Sequence, residues 1–105
     1  MPLTRDFKQT IKARAETDAG FRAALLSEAV EALLEGDTAT GKAVLRDYIN
    51  ATIGFEELAA DTGKDPKSLM RMLSLKGNPR ADNLFAVIHH LQKATGVQLA
   101  VRAGG

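Results

Sequence analysis

Five basic residues fall between positions 64 and 80: Lys64, Lys67, Arg71, Lys76 and Arg80, with Asp65 as the single acid among them. The stretch before it, Phe55 to Asp61, has the opposite sign, with Glu56, Glu57 and Asp61 and no base. Such a one-sided basic run suits recognition of a polyanion. An arginine can bond bidentately to guanine, a contact worth about 1–3 kcal/mol of discrimination. Lysines and short polar groups bond phosphate oxygens, which fixes register without reading sequence. Lys67, Ser68 and Arg71 are therefore candidates for base-edge or phosphate contact, with Ser74 on the same outer side. Lys64, Lys76, Asn78 and Arg80 are candidates for clamping phosphates. Lys67, Ser68 and Arg71 would equally suit an ordinary solvated helix face.

Other chemistry finds less support. His89 and His90 are adjacent, and adjacent residues on a helix point about 100° apart, so they do not share a small site easily. One histidine at the core edge and one exposed is the simpler expectation. Glu28, Glu31 and Glu35 follow helical steps and make a solvated acidic face, with no partner carboxylate or pocket signalled elsewhere. There is no nucleophile elbow, no phosphate-binding glycine loop and no zinc-ligand spacing. The chain is read as a non-enzyme with no cofactor and no metal.

The elements that must position the basic run are helical by periodicity. The 105 residues, 45% hydrophobic and 26% charged, have the composition of one ordinary globular domain. A first helix follows Thr4 as N-cap, with Phe7, Ile11 and Ala15 on one face. A second starts after Thr17-Asp18. Its apolar stripe is Phe21, Leu25, Leu26, Ala29, Val30, Leu33 and Leu34, and it stops at Gly36. Asp37 or Thr38 caps a third, with Val44, Leu45, Tyr48, Ile49 and Ile53 inward. Gly54 separates a fourth, running from Phe55 to Thr62.

Gly63 breaks the chain again, and Asp65-Pro66 opens a fifth helix that runs to Leu73 or Ser74, since proline is favoured at the first helical position. After the "LKGNPR" turn, a sixth helix begins at Ala81 or Asp82 and ends at Gly96. Its inward residues are Leu84, Phe85, Val87, Ile88 and Leu91. The tail alternates Val97, Leu99 and Val101 against polar or small residues, the pattern of a short strand. A lone strand leaves its backbone groups unpaired, so it frays or pairs with another chain.

Around Gly63 the spacing fits two helices crossing closely at a tight turn. Ala59, four positions earlier, is small enough for the crossing. Leu58, Leu69 and Met72 supply the inner faces, and Gly63-Lys64-Asp65 makes a turn of the required length. With that spacing in hand, "FEELAADTGKDPKSLMRMLSLKGNPRADNLFAVIHHLQKATGVQL" resembles the Xre/Cro-type helix-turn-helix over roughly the last half of the chain. The whole chain, with "RAALLSEAVEALLEGDTATGKAVLRDYINATIGFEELA" ahead of it, resembles the addiction-module antidote proteins.

The resemblance implies an all-α, lambda-repressor-like fold. It divides the single domain into N-terminal helices (1–53) for dimer or toxin contact, a helix-turn-helix region (54–96) and a C-terminal strand and tail (97–105). It also implies a bacterial transcriptional regulator that binds double-stranded DNA as a homodimer. Such a protein represses its own promoter and neutralises a small ribonuclease-like toxin. The sequence departs from the family at Gly54-Phe55, where Thr-Gln is usual, at Lys64, where an apolar residue is usual, and at Asp65-Pro66, where Ser-Arg is common. A module of the same fold that binds a partner protein without DNA is the alternative.

The net charge of +1 does not support bulk nucleic-acid affinity, so the clustering of the bases carries the argument. No cysteine is present, the N-terminus lacks the apolar core of a signal peptide, and no apolar run approaches the roughly 18 residues of a membrane span. A cytoplasmic protein without membrane contact is expected.

Overall fold

The computed structural model describes residues 5–104, and within them the regular structure is helical throughout: α1 (Arg5–Thr17), α2 (Ala19–Leu34), α3 (Thr38–Ala51), α4 (Gly54–Thr62), α5 (Pro66–Met72) and α6 (Ala81–Thr95). Thr4, expected to cap α1, lies outside the described residues. Three of these helices, α2, α3 and α5, start at acidic caps. Asp18 accepts a hydrogen bond from the Phe21 N–H at 3.0 Å and opens α2. Asp37 accepts from the Thr40 N–H at 3.1 Å and opens α3. These bonds favour the ionised form, so both carboxyls sit below their ordinary pKa: Asp18 chiefly through the Phe21 N–H, Asp37 chiefly through the Thr40 hydroxyl and then its N–H.

α3 is the central element, packing on α2, α1 and α4. Its Leu45, Tyr48 and Ile49 are fully buried and meet Leu26 and Ala29 of α2, Phe55 and Leu58 of α4, and Val87, Ile88 and Leu91 of α6 in one core. Three residues expected on inner faces are corrected by the structure. Leu34, at the last turn of α2, is 74% exposed because the helix has run past the core by then. Phe85 is 61% exposed: Leu84, Val87, Ile88 and Leu91 already fill the inner stripe of α6, and Phe85 shares the neighbouring face with exposed His89. Phe7 keeps about half its surface exposed, while Ile11 and Ala15 turn inward.

The expected strand is also corrected. No strand is present among the described residues, and 97–104 runs on without a sheet partner. Val97 is instead buried in the core, its N–H donating to Gln92 O at 3.1 Å. The Leu99 N–H donates to the Gln92 side-chain oxygen at 2.8 Å. One glutamine thus satisfies, from α6, a backbone group that a second strand would otherwise have taken.

Tyr48 anchors the base of α6. Its hydroxyl lies 2.6 Å from Thr95 Oγ1, and that threonine donates its own proton to Leu91 O at 2.7 Å, so the phenol must be the donor. Burial raises the Tyr48 pKa above the usual 10.0, because the phenolate would be poorly solvated there. A raised folded-state pKa stabilises the fold fully below the unfolded value and loses that contribution as pH rises through the folded value. Thermal stability is therefore expected to fall above pH 10.0, and Tyr48→Phe to lessen that fall in melts recorded across the alkaline range. An identical alkaline limb in the variant would assign the loss to other groups.

Candidate functional site

The surface around the basic run is built from the turn between α4 and α5. Gly63 takes a left-handed conformation (φ 69°, ψ 22°), which glycine adopts without steric cost, and its N–H returns to Ala59 O. The Lys64 N–H reaches the same carbonyl at 3.0 Å, closing the helix end with paired bonds. Ala59 is buried at the crossing. Asp65 then caps α5 through the Ser68 N–H at 3.1 Å, with Pro66 in the first turn. Leu58 and Leu69 are buried between the two helices as expected. Met72 is half-buried, and Leu73, just past the helix end, takes the fully enclosed place.

α5, residues 74–80 and the start of α6 enclose an open groove. Lys64, Ser68, Arg71, Ser74, Lys76, Asn78 and Arg80 line it, so the structure brings together all the sequence-predicted site residues except Lys67. Lys67 is exposed on α5 outside the groove. Four bases and one carboxylate, Asp65, face this space, a balance that favours an anionic occupant.

The individual side chains differ in how free they are. Arg71, Lys67 and Lys76 are exposed, and among the described residues they enter no ion pair. Asn78 is exposed on the turn. Arg80 is held loosely, 3.5 Å from Asp82 with both side chains mostly in solvent, a pairing worth little in water. Lys64 is half-buried and donates to Asn83 Oδ1 at 3.3 Å, leaving two of its three protons for another acceptor. Two serines are already engaged. Ser74 Oγ donates to Arg71 O at 2.7 Å, and Ser68 Oγ lies 3.4 Å from Asp65 Oδ2.

Two neighbours of the groove were not anticipated. Lys42 of α3, at 5% exposure the only charged residue buried among those described, donates from Nζ to Gly77 O at 2.6 Å and Leu75 O at 3.3 Å. Arg46, one turn further along α3, donates from Nη1 to Leu73 O. Arg46 thus holds the carbonyl that ends α5, and Lys42 holds two carbonyls of the turn beyond it. The available signal was positional: Lys42, Leu45 and Ile49 share one helical stripe, so a lysine stood on an apolar face.

Elsewhere, His90 Nε2 lies 3.2 Å from Asp61 Oδ2, tying α6 to α4, while His89 is exposed. Among the described residues, no group of three or more His, Cys, Asp or Glu could hold a metal ion. No described helix is long and apolar enough to cross a membrane. No protein-family model, curated protein or solved structure matches the chain. The class defined by fold and site is a small all-helical protein with a close helix pair and a basic groove beside its second helix.

Proposed function

We propose that this protein is a sequence-specific DNA-binding regulator in which α4, the Gly63–Asp65 turn and α5 act as a helix-turn-helix of the Xre/Cro kind. The carrying observation is the single groove that gathers Arg71 on α5 with Lys76, Asn78 and Arg80 on the turn beyond it. Arg71 reads base edges in the major groove, and the flanking bases hold phosphates on either side. α5 spans only seven residues and touches few base pairs, so a homodimer reading two half-sites supplies the specificity. Exposed Phe85 and the exposed end of the tail at Val101 are available for contact with a second copy or a protein partner.

By the same resemblance, the protein is the cytoplasmic antitoxin of a toxin–antitoxin module. It represses its own promoter and neutralises a small ribonuclease-like toxin through its N-terminal helices or its tail. A second reading, a partner-binding module that does not bind DNA, is favoured by the exposed Glu56, Glu57 and Asp61 of α4, which would meet DNA with the wrong sign.

Binding of the purified protein to its own upstream region and to random DNA, measured across a salt series, tests the proposal. The expected result is preference for the upstream region and a logarithmic salt slope of about −0.9 per phosphate neutralised. Lys76→Ala is expected to weaken all sequences alike and to make the slope shallower by about 1. Equal binding to both DNAs sinks the repressor reading. Co-purification with the product of an adjacent reading frame then decides for the partner-binding module.

A further inference from the structure

We propose that Lys42 and Arg46 of α3 are positioning residues for the DNA-facing surface, setting where residues 73–80 lie relative to α5. The inference rests on the DNA-binding reading. The carbonyls at a helix C-terminus lack intrahelical partners and carry the negative end of the helix dipole. Leu73 O, at the C-cap of α5, is such a carbonyl and accepts from Arg46, while Leu75 O and Gly77 O in the turn beyond accept from Lys42. Lys42 and Arg46 are four residues apart, hence on one face of α3, and both reach the same side of the turn.

Enclosing an ammonium at 5% exposure is costly unless its protons are taken up by acceptors. Its two carbonyl partners lie on either side of Lys76, with Asn78 next in the chain and Arg80 after Pro79. The second wall of the groove is therefore fastened to α3, an element that lines none of it. Neither cation needs to touch DNA to matter. Each acts through the backbone it holds, so the phosphate-clamping side chains stand at a fixed distance from Arg71.

Lys42→Met keeps the apolar stem of the side chain and removes the ammonium. In the full chain, amide exchange and chemical shifts followed by NMR are expected to show loosening confined to residues 73–80, with α2 and α6 unchanged. Affinity for the upstream DNA is expected to fall about tenfold, the scale of one or two phosphate contacts. Ile49→Val, a change within the core that keeps both cations, serves as a control for general destabilisation and is expected to leave affinity unaltered. Should Lys42→Met fail to fold, Arg46→Gln carries the same measurements, since Arg46 is only half-buried.

Unchanged turn amides in the folded variant overturn the proposal, as does a loosened turn with undiminished affinity. A matching loss of affinity in Ile49→Val also overturns it. If the wild-type protein binds no DNA, the functional reading fails separately, and the NMR measurement alone decides whether α3 fixes the turn.

Discussion

Gly77→Ala is expected to lower the melting temperature by on the order of 10 °C, through a strain of about 1–3 kcal/mol in a domain of this size. A Cβ at position 77 would stand 2.2 Å from Arg71 O and 2.5 Å from Met72 O. Both obstacles are backbone carbonyls at the end of α5, so no side-chain rotation relieves the clash. The turn must move away instead. That movement draws Gly77 O from Lys42 Nζ, from which it accepts at 2.6 Å, and leaves an enclosed ammonium short of an acceptor. Removing one partner of a buried charge is among the costlier single changes. Thermal denaturation followed by circular dichroism checks this. A variant melting with the wild type would mean that residues 74–77 do not pack against α5 as described.

On the DNA-binding reading, Arg71→Ala is the second large effect, and it separates from the first because it should leave the fold intact. The Arg71 side chain is exposed and enters no ion pair among the described residues. Its part in the fold is through the backbone, where its carbonyl accepts from Ser74 Oγ and the Ser74 N–H. Removing a bidentate base contact costs about 1–3 kcal/mol, or roughly a 5- to 150-fold weaker complex per half-site. Discrimination should relax at one base pair and persist at the others. Titrations against a set of singly substituted upstream sequences provide the measurement. Uniform weakening would reassign Arg71 to phosphate contact, and unchanged affinity would remove α5 from recognition.

Much of the architecture was legible because its signals are local. Asp18, Asp37 and Asp65 each cap the helix that follows, and Gly63 and Gly96 close helices in the left-handed conformation that few other residues adopt easily. The groove was legible for a similar reason: its lining comes from one contiguous stretch, 64–83. Lys67 alone fell outside, since residues on one helix diverge by about 100° per step.

What escaped the sequence was long-range. Lys42 and its acceptors are 33 and 35 residues apart, and no local pattern pairs a lysine with a distant carbonyl. Phe85 was misplaced because apolarity alone does not separate the inner stripe of α6 from the position beside it. The tail read as a strand because alternation is a strand's signature. The structure uses the same alternation to bury Val97 and partly bury Leu99 against α6, with Gln92 standing in for a neighbouring chain.

The way α5 is held has a consequence for how such a protein can change. A helix of seven residues is too short to persist alone in water, so its shape is dictated from outside: by Asp65 at one end, by α3 at the other, and by Leu69 beneath. Its outward residues, Lys67, Met70 and Arg71, contribute little to that support. Under the proposed function, folding and sequence preference are thus written on different residues of one short element. A lineage could exchange the outward set and acquire a new target site while the supporting set, and the stability it confers, stays as it is.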